Sequence, residues 1–301
     1  MTLAPLVMHH SPLSIWWLAI RPKTLGAAVA PVLIGIALAW SADVFHAGAA
    51  LAGLAGALLL QIAANFANDY FDWKKGADDA TRVGPTRVVS AGLVAPRVMK
   101  IAIVLTLLAV VPLAVYLVVR AGPAFAVIAA TAILFAVLYT GGPFPLAYVG
   151  LGDIVAFAFF GPVAVAGTFA AQAQRFDWLS VIAGIGPGCL AMTLIAVNNL
   201  RDREGDARAK KRTLAVRFGA RFARVEIVLS VVAAAAVPIV LAVLTHRWFV
   251  VAASIACLSL VPALRLVLAG GEGMTLNRVL AATGRLLLLY GATFAVGWAI
   301  G

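Results

Sequence analysis

Long apolar stretches alternate along this chain with short polar segments that are mostly basic. Nine apolar stretches stand out, at about 24–41, 47–67, 99–119, 122–140, 153–172, 178–198, 226–244, 248–268 and 279–300. A helix needs roughly 20 such residues to cross a hydrocarbon core about 30 Å thick, and each stretch comes near that length. All nine are expected to be helical, because an open sheet edge leaves backbone groups unsatisfied in lipid. The last stretch contains Arg285, which either snorkels or faces the bundle interior. The expected fold is all-α. It is a polytopic membrane helix bundle of about nine transmembrane helices, with polar cytoplasmic loops after helices 2 and 6, forming one membrane-embedded domain over 1–301.

Composition supports a bilayer as the solvent. The chain is 63% hydrophobic and 12% charged, with a mean hydropathy of +1.03, whereas soluble domains carry about 25% charged residues. The net charge of +11 does not indicate nucleic acid, because the basic residues sit in short loops between apolar runs. With the N-terminus inside, 20 of the 23 Lys and Arg residues lie on the inner side, and only Arg120, Arg175 and Arg247 lie outside. That asymmetry predicts a cytoplasmic N-terminus, two large cytoplasmic polar loops and an outer C-terminus. Cys189 and Cys257 lie within apolar runs and read as small hydrophobes, with no disulfide framework or zinc spacing. His9, His10, His46 and His246 are scattered and receive no role. No cleaved signal peptide is expected.

The acids are few and concentrated. Of twelve in the chain, six are aspartates in two segments: Asp69, Asp72, Asp78 and Asp79, then Asp202 and Asp206. Helical spacing places Asn65, Asp69 and Asp72 on one face and Asn68 with Asp72 at i, i+4. Asn198, Asp202 and Asp206 form a second stripe at i, i+4, i+8. Like charges at that spacing repel, so a cation is expected between them. Carboxylate and amide oxygens are hard ligands suited to Mg²⁺. Lys74, Lys75, Arg82 and Arg87 flank the first segment; Arg201, Lys210, Lys211 and Arg212 flank the second. Acids and cations together suit a metal-bridged polyanion such as a diphosphate ester, with the apolar bundle accepting a hydrocarbon tail. Arg203, Arg208, Arg217, Arg221 and Arg224 read instead as topology and lipid-surface charge. The two motifs lie four helices apart with the same sense, which suggests a duplicated four-helix unit.

The run from Asn65 to Asp78, Asn-Phe-Ala-Asn-Asp-Tyr-Phe-Asp-Trp-Lys-Lys-Gly-Ala-Asp, resembles the first aspartate motif of the UbiA superfamily of intramembrane aromatic prenyltransferases. Several further segments are similar to that superfamily's naphthoate branch, the 1,4-dihydroxy-2-naphthoate polyprenyltransferases of menaquinone biosynthesis. They are Arg21-Pro-Lys-Thr24, Arg82-Val-Gly-Pro-Thr-Arg87 with Ser90-Ala-Gly92, Tyr139-Thr-Gly-Gly-Pro, Tyr148-Val-Gly-Leu-Gly-Asp153, Asn198-Asn-Leu-Arg-Asp202-Arg-Glu-Gly-Asp206 and Arg212-Thr-Leu-Ala-Val-Arg-Phe-Gly219. They cover most of the chain in order. The superfamily often spaces its first motif as NxxxDxxxD; here Gly76 stands four after Asp72 and the next acid is Asp78.

The resemblance implies a nine-helix bundle and an Mg²⁺-dependent transfer of a polyprenyl group from polyprenyl diphosphate to 1,4-dihydroxy-2-naphthoate, with loss of CO2, giving demethylmenaquinone. It implies catalytic roles for Asn68, Asp72, Asp202 and Asp206, and metal ligation by Asp69, Asp72, Asp78, Asp202 and Asp206. Substrate contacts are expected from Asn65, Lys74, Arg82, Arg87, Asn198, Arg201 and Lys211, with Tyr139, Tyr148 and Asp153 on the acceptor side and Arg21 or Lys23 as an anchor for its carboxylate. The expected setting is a bacterial-type plasma (inner) membrane with the active site facing the cytoplasm, and no nucleic-acid partner. The alternative acceptors are 4-hydroxybenzoate or another phenol. A cation-coupled transporter is the rival from another class, disfavoured because both motifs fall on one membrane face rather than at the midplane. A phospholipid head-group transferase shares the two-metal logic, but its motif is not found.

Overall fold

The computed structural model describes residues 11–77 and 83–301, and among these the chain is helical with no strand. The first helix, α1 (Pro12–Ile20), was not expected from the apolar runs. Ser11 caps it by accepting from the Ser14 amide, and Pro12 occupies its first turn. Nine residues rise about 14 Å, too little to span a bilayer. The helix stops at Arg21, whose φ of 55° is left-handed, and Pro22 restarts the chain as α2.

The remaining elements follow the apolar runs. They are α2 (Pro22–Ser41), α3 (Ala47–Lys74), α4 (Pro96–Ala121), α5 (Ala124–Leu138), α6 (Gly152–Phe159), α7 (Pro162–Ala173), α8 (Trp178–Arg208) and α9 (Leu214–Thr245). Then come α10 (Ala252–Ala256) and α11 (Val261–Leu268), joined by 3₁₀ turns into one span, and α12 (Met274–Ile300). Among the described residues eight segments are long and apolar enough to cross a membrane, with α6–α7 and Trp248–Leu268 each counted once. The ninth, α5, has 15 residues and rises about 22 Å, short of a full crossing.

The structure departs from the apolar runs at the polar end. α3 continues past residue 67 to Lys74, and α8 past residue 198 to Arg208. α9 starts at Leu214, with a break at Gly219, whose φ is 83°. The expected polar loop after helix 6 shrinks to 209–213. The first charge marks where lipid contact ends, whereas a helix bonds its own backbone and continues into water. At 31 residues, α8 is about 46 Å long, well beyond a core of about 30 Å. Both aspartate motifs therefore stand on rigid helix ends rather than on loops.

One side of the bundle is solid. Ile34 of α2, Leu190 of α8, Ile227 and Leu241 of α9, and Leu287 and Phe294 of α12 are fully buried in a shared core. At the junction of α6 and α7, backbones approach closely: a Cβ on Gly161 would lie 2.5 Å from Gly184 O and 2.6 Å from Gly188 Cα. Small residues permit that approach, which lipid-embedded helices use in place of a hydrophobic driving force. Arg285 is exposed on α12, not turned into the core. On the other side, α2 to α8 surround a cavity of about 330 Å³.

Candidate active site

The last turns of α3 bury Asn65, Asp69 and Asp72 to 3% exposure or less. Buried polar groups need partners, and each of these has a different set. Asp72 accepts from Arg87 Nη2 and from the Tyr148 hydroxyl, both at 2.9 Å. Asn68 Oδ1 accepts from Thr140 Oγ1 at 2.8 Å. Asn65 Nδ2 donates to Ile20 O at 2.8 Å and Thr24 Oγ1 at 3.0 Å, tying the α1–α2 junction to α3. Asp69, expected among the metal ligands, is held by backbone amides. Its two oxygens accept the backbone N–H groups of Val88 and Val89, each at 3.0 Å, and Arg21 approaches at 3.9 Å. Its geometry is that of an anchor for the segment that carries Arg87.

The end of α8 presents the second motif. Arg201 grips Asp202 with two bonds of 2.7 and 2.6 Å, and reaches Asn198 Oδ1 and Asn277 Oδ1 at 2.8 Å each. This locks α8 to α12. Asp206 Oδ1 pairs with Lys211 Nζ at 3.4 Å, while among the described residues its buried Oδ2 has no hydrogen-bond partner. Lys211 is where the two motifs meet. Burial works against its charge, but Asp206, Asp72 and Asp202 together outweigh burial and raise its pKa. Among the described residues no three acidic, His or Cys side chains already converge as a metal cage. The donor set is nonetheless one of hard oxygens, and the orphaned Asp206 Oδ2 is a fitting ligand atom.

Two ammonium groups lie over the Tyr148 ring, Lys75 Nζ at 4.2 Å and Lys211 Nζ at 5.6 Å from its centroid. Lys75 Nζ also donates to Thr140 O at 2.7 Å. Burial lowers the Lys75 pKa, and Asp72 opposes that shift. Tyr148, expected on the acceptor side, thus belongs to the charged end through Asp72. Tyr139 lies on the cavity wall, and burial, then Asp153, raises its pKa so that the phenol stays protonated. Asp153, in the first turn of α6, is 1% exposed and holds Asn199 Nδ2 at 3.2 Å from both oxygens.

The cavity joins these groups to a hydrocarbon wall. Asn68, Asp72, Asn198 and Lys211 line its polar end; Leu113, Leu117, Phe125, Ile128 and Phe159 line the rest. The expected residues therefore divide. Asn68, Asp72, Arg87, Asn198, Arg201, Asp202, Asp206, Lys211 and Tyr148 gather at the polar end. Lys74 and Lys75 are both exposed, but Lys75, the C-cap of α3, reaches the site through its bond to Thr140 O and its place over the Tyr148 ring. Asp78, Asp79 and Arg82 lie outside the described residues. The apolar-run reading overlooked Thr140, Asn277 and Glu226. Glu226 is 8% exposed in α9, and its isolation in an apolar run is the signal that could have found it.

A family model described as the UbiA prenyltransferase family matches residues 28–277. A relative from Mycobacterium tuberculosis, named 1,4-dihydroxy-2-naphthoate octaprenyltransferase, is 40% identical over 291 residues, covering 95% of this chain and 97% of that protein. Among solved structures, an apo UbiA homolog from Aeropyrum pernix superposes with a TM-score of 0.72 at 15% identity, covering 92% of this chain and 98% of that one. A UbiA homolog from Archaeoglobus fulgidus bound to DMAPP and Mg2+ superposes with a TM-score of 0.60 at 14% identity, covering 93% and 99%. These two show a shared fold.

Proposed function

The chain belongs to the UbiA prenyltransferase family, and from that membership we propose that it transfers a polyprenyl group from polyprenyl diphosphate to 1,4-dihydroxy-2-naphthoate. The observation that carries the reading is a cavity that has both a charged end and an apolar wall. Asn68 and Asp72 of the first motif, Asn198 of the second and Lys211 line one end, with Asp206 beside Lys211, and Ala, Leu, Val, Ile and Phe side chains line the remainder. That is the shape of an amphiphile with an anionic head and a hydrocarbon tail. The naphthoate acceptor is supported by the relative that shares 40% of its residues over nearly the whole chain.

Asp72, Asp202, Asp206, Asn68 and Asn198 would hold Mg²⁺, with Asp206 Oδ2 lacking a partner among the described residues. Bound there, magnesium supplies positive charge to the diphosphate and makes it a better leaving group. Arg87, Lys75 and Lys211 bind the remaining diphosphate oxygens, and Arg201 holds Asp202 and Asn198 in register. The C1–O bond of the prenyl diphosphate breaks and its electron pair leaves with the diphosphate. The apolar wall keeps water from the resulting allylic cation. A ring carbon of the acceptor attacks C1, and the carboxylate departs as CO2, leaving its bonding pair on the ring. The product is therefore at the quinol level, and demethylmenaquinone is its oxidised form.

The 20 inner Lys and Arg residues support an active site on the cytoplasmic face of a bacterial-type plasma membrane. The test is to incubate the purified enzyme with labelled prenyl diphosphate and a panel of aromatic acids, and to identify products by mass. The naphthoate should be preferred over 4-hydroxybenzoate by more than about tenfold, because an extra buried ring is worth roughly 1–2 kcal/mol. Faster turnover of 4-hydroxybenzoate would overturn the acceptor assignment.

A further inference from the structure

Asn199 differs from its neighbour Asn198. Its amide nitrogen lies 3.2 Å from each oxygen of Asp153. A carboxylate only accepts hydrogen bonds, so the amide must turn its N–H groups toward Asp153. Its carbonyl oxygen is thereby directed away from Asp153, and among the described residues no group donates to it. Asn199 lines the cavity, and so does Tyr139. The two belong to one locality. Asp153 bonds Asn199 and acts electrostatically on Tyr139. Gly152, next to Asp153, makes room for the phenol, since a Cβ there would lie 3.0 Å from the Tyr139 oxygen. Glu226 of α9 lies behind, close enough to interact electrostatically with Asp153.

We propose that Asn199 Oδ1 and the Tyr139 hydroxyl form the subsite that reads the oxygen substituents of the acceptor ring, with Asp153 a positioning residue that fixes the amide. The inference rests on the proposed naphthoate acceptor. Asn199 accepts a hydrogen bond from a ring hydroxyl, which leaves the ring more electron-rich for attack. Tyr139, kept protonated by burial, donates to an acceptor oxygen. A phenolic hydroxyl is recognised because only a donor satisfies the fixed amide oxygen, and an analogue lacking it strands that oxygen.

The experiment is a cycle between protein and ligand. 1-Hydroxy-2-naphthoate and 4-hydroxy-2-naphthoate, each lacking one hydroxyl, are measured as competitive inhibitors against the dihydroxy acid. In the native enzyme, one of them should bind about tenfold more weakly than the dihydroxy acid, the size of one hydrogen bond to a fixed partner. In Asn199→Ala, that discrimination should fall below about twofold, while the KM for prenyl diphosphate is unchanged. Asp153→Asn, which releases the amide, should raise the KM for the dihydroxy acid more than it lowers kcat. Discrimination of equal size in native enzyme and Asn199→Ala, whether large or small, would overturn the inference. So would an equal rise in the KM of both substrates in Asp153→Asn. A native enzyme inactive toward the dihydroxy acid would overturn the proposed function, and this inference with it.

Discussion

Asp69→Ala distinguishes an anchor from a metal ligand. The carboxylate is 1% exposed and accepts two backbone N–H groups, and those donors belong to Val88 and Val89, themselves 0% and 4% exposed. Hydrogen bonds to a buried charged group contribute about 1.5–3 kcal/mol each, so losing both costs about 3–6 kcal/mol. Solvent does not reach this site to replace them, and Val88 and Val89 keep two unsatisfied buried donors. At about 2 °C per kcal/mol for a chain larger than a small domain, the unfolding midpoint should fall by about 6–12 °C. The measurement is thermal unfolding of the purified protein in detergent, beside the Mg²⁺ concentration that gives half-maximal prenyl transfer. The expected result is a large fall in midpoint with a half-saturating Mg²⁺ concentration changed less than about twofold. An unchanged midpoint with a tenfold greater Mg²⁺ requirement would refute the anchor and restore Asp69 to the metal site.

The charged end of the cavity supports further expectations. Asp72→Asn and Asp206→Asn should each lower kcat by about a hundredfold or more, since loss of one transition-state stabiliser commonly costs roughly 3 kcal/mol. Asp177→Ala should leave kcat nearly unchanged and cost only about 1 kcal/mol of stability, because Asp177 caps α8 at its other end; equal kinetic losses at Asp177 and Asp206 would sink the assignment. Lys75→Ala should raise the KM for prenyl diphosphate about tenfold and Lys74→Ala less than twofold, as a charge-assisted contact is worth about 1.5–3 kcal/mol; the reverse order would mean that the lysine facing Thr140 and Tyr148 is not the one that meets diphosphate. EDTA should abolish turnover and Mg²⁺ restore it, and full turnover in metal-free membranes would rule out the proposed head-group site.

The sequence by itself determined the helix bundle, eight of its nine expected spans and the two polar clusters. The bilayer makes those features local: a span is a run of apolar residues, and a buried acid is costly wherever it stands, so Asp72 and Asp206 announce themselves without any partner being known. Helix ends were less legible. Composition marks where lipid stops, but α3 and α8 continue to Lys74 and Arg208 because their backbone bonds do not depend on lipid. Which polar residue does what was decided only by the tertiary structure. Asp69 and Asp72 are three residues apart on one helix, yet one meets the Val88 and Val89 amides and the other meets Arg87 and Tyr148. Lys74 and Lys75 are adjacent and both exposed, yet only Lys75 reaches Thr140 and Tyr148. Asn199 acquires a defined amide orientation only because α6 brings Asp153 against α8. A side chain's chemistry is written in its own residue type, whereas its partners come from segments distant in the chain, and only packing brings them within hydrogen-bond reach.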